Sequence, residues 1–296
     1  MSVGMFNNKE SKMKVPIHDE FDVAAGSIIG TYHLHISFNN QDNYQVVEDP
    51  DCIIAVVCDG CGSGVSSEVG ATLGSSMVIC ELREFGIHNA PKDEVNMRLE
   101  LTRRFILNRI ISVGSKVGSP FANVISDSFL FTIVAAIIGR ERSYIVSIGD
   151  GFYAINGEVK EIGPFENNAP PYVAYGAIEE HLNGPVDTRF VVNEIIDTKD
   201  LDSLLIGTDG VGDLIKAEEK RLPGNKKLVG PLSQFWTDDL YFSNQAAISR
   251  RLAMINRSVT KIDRKECRLI QDHGHLGDDT TLVSVRKKVR EPFQIL

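Results

Sequence analysis

The chain has 296 residues, of which 43% are hydrophobic and 24% charged, a composition typical of a soluble globular protein. Its net charge of -9 argues against non-specific nucleic-acid binding, which relies on lysine and arginine contacts to phosphates. No window approaches the ~20 apolar residues needed to cross a bilayer, which argues against a membrane protein.

The N-terminal residues predict a tail ahead of a single domain. Residues 1–20 lack the apolar core of a signal peptide, and we expect them to be disordered. Five cysteines, an odd number in a long chain without a secretory signal, predict free thiols and a cytoplasmic location. Without repeats or linker-like segments, the rest of the chain is interpreted as one domain over residues 21–290.

Short segments rich in apolar and β-branched residues predict strands along most of the chain. They are Ser27–Ser37, Cys52–Cys58, Ser128–Ile138, Arg142–Ile148, Arg189–Ile196, Ser203–Gly207 and Thr280–Val285. Two long helical segments follow the second strand, and a third helix is predicted at Asn244–Asn256. This order predicts an α+β fold in which helices cover sheets.

The two long helices each carry a stripe of residues at helical spacing that we expect to be buried. In Val65–Phe85 the stripe is Val65, Val69, Leu73, Met77 and Cys80, with Gly70, Ala71 and Gly74 elsewhere on the surface, where they permit close approach of another element. In Val95–Val117 the stripe is Thr102, Ile106, Ile110 and Val113, with Arg103, Arg104 and Arg109 facing solvent.

Four aspartates stand where apolar segments meet glycine or polar turns. Asp59, Asp150, Asp209 and Asp278 lie in IIAVVCDGCGSG, SYIVSIGDG, SLLIGTDGVGD and GHLGDDTTLVSV. One Asp-Gly after a strand indicates only a turn, whereas their recurrence at strand ends can bring the carboxylates together at one rim of packed sheets. Hard cations such as Mg²⁺ and Mn²⁺ prefer such oxygen ligands, so the pattern favours a metal site.

Five motifs in chain order resemble the protein phosphatase 2C family, and more narrowly its bacterial branch. They are GTYHLHISFNNQD, CDGCGSGVSSEVGA, GDGFYAINGEV, TDGVGDLI and GDDTTLVSV, which together span roughly residues 26–286. The resemblance implies a four-layer αββα sandwich, in which two antiparallel sheets are flanked by helices and a two-metal centre lies at one end.

The resemblance also implies roles for individual residues. Asp59 would bridge two Mg²⁺ or Mn²⁺ ions, one of them also bound by the Gly60 carbonyl, and Asp209 and Asp278 would complete the ligand shell of the second ion. Asp150 corresponds to the position of a third, weaker metal. Asp42 corresponds to the catalytic aspartate that acts through metal-associated water.

The substrate side departs from the family pattern. Ser37 occupies the position at which many members carry an arginine that holds the substrate phosphate, and Asp279 replaces the commoner asparagine. We assign Ser37 and Asp279 to substrate binding. His33 is assigned to catalysis, through contact with the phosphate or protonation of the leaving group; the alternative is a polar strand residue that faces solvent.

The function implied is a serine/threonine protein phosphatase that acts by metal-activated water on a phosphorylated protein, which a cognate serine/threonine kinase opposes. Two alternatives remain open: a catalytically inactive, phosphatase-like binding or regulatory module, and a hydrolase of small phosphoesters. We expect no nucleic-acid or membrane partner.

Other patterns allow weaker hypotheses. Cys58 and Cys61 form a C-x-x-C that suggests zinc, a redox pair or plain packing, and the pairs His33/His35 and His273/His275 suggest a histidine metal site. Residues 161–188 are predicted to be a mobile loop, which the resemblance implies is a flap beside the active site; the alternative is a plain surface excursion. An exposed Trp236 would indicate a partner site.

Overall fold

Two five-stranded antiparallel sheets form the inner layers of the protein in the computed structural model, which describes residues 15–182 and 184–288. The first sheet has the spatial order β1 (Phe21–Ile28), β12 (Thr280–Lys287), β9 (Ser203–Gly207), β6 (Gly151–Ile155) and β7 (Glu158–Ile162). The second has the order β2 (Asp42–Glu48), β3 (Cys52–Asp59), β4 (Ile133–Gly139), β5 (Arg142–Ile148) and β8 (Val191–Asp197). A separate two-stranded ribbon pairs β10 (Val259–Asp263) with β11 (Arg268–Asp272).

Helices cover the outer face of each sheet, so the predicted αββα sandwich is confirmed. The second sheet is covered by α2 (Ser67–Glu84), α3 (Val95–Val117) and α4 (Phe121–Ser128). The first is covered by α5 (Val211–Ala217), α6 (Gln234–Thr237), α7 (Asp239–Ser243) and α8 (Ala247–Asn256). A short helix, α1 (Thr31–Ile36), lies at one end of the sandwich. In the described part of the chain, no helix is both long and apolar enough to span a membrane.

The strand interiors alternate between two apolar layers. On β3, Ile53, Ala55 and Val57 are buried between the sheets, whereas Cys52 and Val56 are buried against the helices. A strand buried on both faces has this nearly continuous apolar sequence, which explains why sequence pattern located β3, β5 and β9 well.

The strand predicted over Ser27–Ser37 is wrong beyond Ile28. Residues Thr31–Ile36 form α1, whose first two N–H groups donate to the carbonyls of Leu276 and Gly277 at 2.9 and 3.0 Å. The mixed apolar and β-branched pattern of this segment fits a strand, but these contacts from a distant part of the chain favour a helical turn. Similarly, the predicted strand Ser128–Ile138 begins only at Ile133, because α4 ends at Ser128.

The buried face of α2 is the opposite of the predicted one. Val65 precedes the helix and is 72% exposed, and Val69, Leu73 and Cys80 on the helix are exposed as well, whereas the small residues Gly70, Ala71 and Gly74 are buried. A side chain at Gly74 would overlap the Phe131 ring, at 2.3 Å. The helix therefore packs through its small residues, as close contact with the sheet requires. The α3 stripe is confirmed for Thr102, Ile106 and Ile110.

Three predictions on less regular segments need correction. The predicted disordered tail, 1–20, is wrong for its last residues, since Ile17–Asp19 forms a 3-10 turn and Ile17 is buried. The part of that prediction on residues 1–14 lies outside the described residues. The loop predicted to be mobile is packed over Val173–Ala177, where Val173 and Ala174 join the helix-side core. Trp236 is buried, so it offers no partner site. The single-domain prediction over 21–290 stays a prediction.

Candidate metal centre

The apolar layer between the sheets ends in polar residues at one rim of the sandwich. Along β3 the inward face runs through Ile53, Ala55 and Val57 to Asp59, because alternate residues of a strand share a face. Two other strands change from apolar to polar in the same way: Thr132 lies two residues from the buried Val134, and Thr208 two residues from the buried Ile206. Carboxyl and hydroxyl groups therefore replace aliphatic side chains where the two sheets open.

Asp42 and Asp59 lie directly opposite each other on the paired strands β2 and β3. Two carboxylates in such positions repel each other. Asp42 is buried, and one of its oxygens accepts a hydrogen bond of 2.7 Å from the Thr208 hydroxyl. Its other oxygen, Oδ1, is buried and has no hydrogen-bond partner in the part of the chain that the structure describes. Asp42 thus lies beneath the site: the Thr208 hydroxyl holds one carboxylate oxygen, and the other is left for a cation or water.

A cleft of about 450 Å³ opens above this pair. Four of the predicted metal ligands with carboxyl groups line it: Asp59, Asp150, Asp209 and Asp278. Gly60 and His33 line it too, with Gln41, Thr132 and Tyr172. The structure therefore brings together residues that are more than 200 positions apart in the sequence.

Burial and mutual repulsion raise the pKa values of these carboxyl groups. Burial raises the pKa of Asp59 well above its usual value, and the charges of Asp42 and Asp209 raise it further. Burial, with repulsion from Asp278 and Asp150, raises the pKa of Asp209 to about 7. The pKa values of Asp42, Asp150 and Asp278 are raised as well, mainly by burial.

A divalent cation fits this arrangement. The donors are carboxylate oxygens, which Mg²⁺ and Mn²⁺ prefer. Within residues 15–182 and 184–288, Oδ1 of Asp42 and Oδ1 of Asp209 are buried without a hydrogen-bond partner. A buried, unpartnered acceptor costs free energy that a cation, direct or through water, would offset. The ligand atoms of His33, Asp278 and Asp279 also lie within 4.8 Å of one another, the one such group of three or more His, Cys, Asp or Glu residues that the described part of the chain contains.

Asp279 organises the wall of the cleft instead of lining it. It is buried, and its carboxylate accepts hydrogen bonds from the backbone N–H groups of Gly30, at 2.6 Å, and Gln41. Its Oδ1 lies 3.0 Å from Nδ1 of His33, which forms an ion pair when the imidazole is protonated. Asp279 thus ties β2, α1 and β12 together and fixes the position of His33.

Two glycines let the backbone approach the site closely. A Cβ at Gly60 would lie 2.8 Å from the Ser67 carbonyl oxygen and 2.9 Å from that of Gln41. A Cβ at Gly30 would lie 2.4 Å from the backbone of Asp278. No side chain fits at either position, so Gly60 presents its backbone to the cleft, and α1 can dock on the loop that carries Asp278.

Three residues that sequence reasoning did not single out contribute to the site. Gln41 lines the cleft, and its buried Oε1 has no hydrogen-bond partner among the described residues. Thr208 holds Asp42. Asp213 accepts hydrogen bonds from the N–H groups of Gly277 and Asp278, at 2.9 and 3.4 Å. All three lie within NNQD and TDGVGDLI, so the signal was present, but only the fold shows what these side chains contact.

Some candidates lie apart from the cleft. Ser37 is exposed at the C-terminal end of α1, in a left-handed backbone conformation with φ 61°, and does not line the cleft. His35 is exposed, whereas His33 is buried, because residues two apart on a helix face different sides. Cys58 is buried in the helix-side core, and all five cysteines are free thiols. Nε2 of His275 donates a hydrogen bond to the Arg221 carbonyl oxygen at 2.7 Å.

Comparison with known proteins identifies the family. The family model described as Protein phosphatase 2C matches residues 29–253, which is most of the chain. The chain therefore belongs to the protein phosphatase 2C family. Comparison with the curated proteins found no match.

Solved structures show the same fold at low sequence identity. The serine/threonine phosphatase Stp1 from Staphylococcus aureus is 16% identical, with a TM-score of 0.52 over 90% of this chain and 95% of that one. A bacterial serine phosphatase is also 16% identical, with a TM-score of 0.51 over 91% of this chain and 99% of that one. At this identity the likeness shows the fold alone.

Proposed function

We propose that the protein is a metal-dependent serine/threonine protein phosphatase. The observation that carries the proposal is the convergence of four carboxyl groups on one cleft beside the buried Asp42, with oxygens on Asp42 and Asp209 that have no hydrogen-bond partner among the described residues. Such a cluster is unfavourable without cations and is the donor set that Mg²⁺ or Mn²⁺ requires. Family membership supports the proposal independently.

Asp59, the Gly60 carbonyl, Asp209 and Asp278 would hold two ions, and Asp150 a third. When bound, the ions supply hydroxide at neutral pH for in-line attack on phosphorus, and they neutralise charge on the phosphate. Asp42, fixed by Thr208, presents its free oxygen from below as a proton acceptor for water in the cleft. The substrate would be phosphoserine or phosphothreonine in a protein, placed there by a serine/threonine kinase, and the predicted cytoplasmic location is retained.

His33 would act on the phosphate or the leaving group from its position beside Asp278 in the cleft. Its imidazole lines the cleft, and Nδ1 lies 3.0 Å from Oδ1 of Asp279, so we expect Nε2 to be the nitrogen that faces a substrate. A protonated His33 can hydrogen-bond to a phosphate oxygen or give its proton to the departing serine or threonine oxygen. Asp279 is then a positioning residue, and Ser37, exposed outside the cleft, is retained only as a prediction for substrate binding.

The test is phosphate release from a phosphothreonine peptide in the presence of Mn²⁺. We expect turnover by the wild type, and loss of at least about 10³-fold in Asp209→Asn and on addition of EDTA. No turnover by the wild type with either Mn²⁺ or Mg²⁺ would contradict the proposal and favour a non-catalytic binding module, which the absence of arginine at Ser37 also suggests. Fast turnover of free metabolites, with none of phosphopeptides, would indicate a small-phosphoester hydrolase.

The same assay separates the two roles of His33. Loss of leaving-group protonation in His33→Ala should lower kcat about 10²-fold for the phosphothreonine peptide, and only a few-fold for p-nitrophenyl phosphate, whose leaving group departs without a proton. Loss of a phosphate contact should lower the rates for both substrates equally. Asp279→Asn is expected to move in the same direction as His33→Ala, and unchanged rates in His33→Ala would contradict both roles.

A further inference from the structure

One side of the molecule carries charge opposite to that of the whole chain. The segments 216–228 and 257–273 together contain ten lysines and arginines and five acidic residues, a net charge of +5. Because the whole chain has a net charge of -9, the rest of the chain has a net charge of -14. We call these two segments the basic surface.

The two segments of the basic surface pack against each other. The Gly224 N–H donates to Oδ2 of Asp272 at 2.7 Å, and Nη2 of Arg257 donates to the Pro223 carbonyl at 3.2 Å. Residues Arg221 and Leu228 form an antiparallel bridge that closes the first segment into a hairpin. The second segment contains the β10–β11 ribbon. Charges that are separate in the sequence are therefore neighbours on one surface.

The positive charges of this surface are exposed and mostly without acidic partners. Its ten lysines and arginines are all exposed. Within the described residues only two of them form ion pairs, Arg268 with Asp263 at 3.9 Å and Lys216 with Asp213 at 3.5 Å. Exposed pairs at such distances contribute little, so the positive potential of the basic surface faces solvent.

Apolar side chains stand among these charges. Ile262 and Leu269 face each other across the ribbon and are 72% and 70% exposed. Leu228, on the first segment, is half exposed. An isolated two-stranded ribbon has no sheet to pack on, and its exposed aliphatic pair is a feature that binding surfaces share.

The basic surface adjoins the catalytic cleft. Strand β11 ends at Asp272, and Asp278, which lines the cleft, is six residues further on. Six extended residues reach at most about 20 Å, and the ribbon extends about another 17 Å to its turn. A polypeptide with its phosphorylated residue in the cleft would therefore meet the basic surface within about 6–11 residues.

We propose that the basic surface binds an acidic segment, containing apolar side chains, of the phosphoprotein substrate. This proposal rests on the proposed phosphatase function and adds the class of substrate that it prefers. Charge complementarity carries it: the surface is positive, and the remaining -14 disfavours long polyanions such as nucleic acids, which would extend beyond it. A short acidic peptide matches both the charges and the Ile262/Leu269 pair.

The test measures binding separately from catalysis. A fluorescein-labelled, unphosphorylated peptide with a block of six Asp/Glu and two Leu is titrated with the wild-type protein at low salt, with fluorescence anisotropy as the readout. The variants are Arg264→Glu/Lys265→Glu on the ribbon turn and Lys226→Glu/Lys227→Glu on the other hairpin. The matched control is Lys92→Glu/Lys116→Glu, which reverses two exposed charges on the helix layer of the second sheet.

We expect each test variant to raise the Kd about tenfold, the control less than twofold, and the difference to shrink at high salt. Two phosphothreonine peptides are then compared as substrates. One has acidic residues about eight positions from the phosphothreonine on either side, and the other has Asn and Gln there. In the test variants, kcat/KM should fall only for the acidic peptide. Unchanged Kd values would overturn the proposal, as would equal or tighter binding of a DNA duplex or phosphatidylserine vesicles. Peptide binding without phosphate release would contradict the proposed phosphatase function but would still support the basic surface as a binding site for acidic segments.

Discussion

The space between the sheets and the rim where they open are built on the same strands but have opposite chemistry. Along one face of β3, Ile53, Ala55 and Val57 are almost fully buried among aliphatic side chains, and the next residue on that face is Asp59. The interior contributes stability, since burial of each such side chain is worth about 1.5–3 kcal/mol. The rim carries carboxyl groups whose pKa values are raised by burial.

The difference shows where this fold gives up stability for function. Carboxylates of like charge, buried at one rim, destabilise the folded chain when no cation is present. Because the interior behind them is apolar and continuous, the chain can still fold with that cost. Substitutions in the two regions should therefore have opposite effects on stability and on activity, and the three predictions below test this contrast.

The largest effect is expected at Asp59. In Asp59→Asn, we expect phosphatase activity to fall about 10³-fold or more and Mn²⁺ affinity about 100-fold, because the residue opposite Asp42 would no longer supply a charged ligand. The metal-free variant should nevertheless unfold at a higher temperature than the metal-free wild type, since one repelling charge is gone. Phosphate release, calorimetric Mn²⁺ titration and thermal unfolding in EDTA measure the three quantities.

The matched control for this substitution is Asp93→Asn, which removes an exposed carboxylate far from the cleft. It should leave all three quantities unchanged. Mn²⁺ affinity of Asp59→Asn within threefold of the wild type would mean that Asp59 is not a metal ligand, and the contrast between rim and interior would then lose its functional explanation.

The second prediction concerns the interior. Ile53→Ala should lower the free energy of unfolding by about 2–5 kcal/mol, because it leaves a cavity between the sheets. Activity per folded molecule should not change, since Ile53 lies six residues from Asp59, about 20 Å along the strand. Urea unfolding and the rate normalised to folded protein test this. Ile262→Ala, at an exposed isoleucine, should change stability by less than about 0.5 kcal/mol.

The interior was the part of the fold that the sequence predicted best. Strands such as Arg142–Ile148 and Ser203–Gly207 are found with the predicted bounds, because both of their faces are buried and apolar residues fill their centres. The face of α2 was predicted wrongly for a related reason. Its close contact with the sheet selects small residues such as Gly74, which carry no hydrophobic signal, and leaves Val69 exposed.

At the rim, sequence motifs predicted which residues converge but not how they are arranged. Asp59, Asp150, Asp209 and Asp278 do line one cleft, as their positions at strand ends suggested. The helix that carries His33 and the contacts of the Asp279 carboxylate join segments about 240 residues apart. Local sequence pattern holds no information on such contacts, so Asp279 was assigned to substrate binding, whereas its hydrogen bonds favour a positioning role.

The smallest expected effect is the dependence of stability on pH, and it comes from Asp209. Its pKa is raised to about 7 in the folded protein, against an ordinary value of 3.8, so the folded state binds a proton more tightly than the unfolded state. The stabilisation from this proton is present at low pH and is lost as the pH rises through about 7. Lowering the pH of the metal-free protein from 8 to 6 should therefore raise its unfolding temperature by about 2–4 °C.

The stabilisation that divalent cations provide should depend on pH in the opposite direction. A cation needs the ionised carboxylate, so the increase in unfolding temperature that Mn²⁺ produces should shrink as the pH falls from 8 to 6. Thermal unfolding at both pH values, with EDTA and with Mn²⁺, gives the four temperatures required. Asp209→Asn isolates the carboxyl group from other titrating groups, such as the histidines, and should remove most of both effects. The contradicting result is a wild type that, in EDTA, loses as much stability between pH 8 and 6 as Asp209→Asn does. It would show that the rim carboxylates do not oppose folding, and the proposed contrast between the rim and the apolar interior would be wrong.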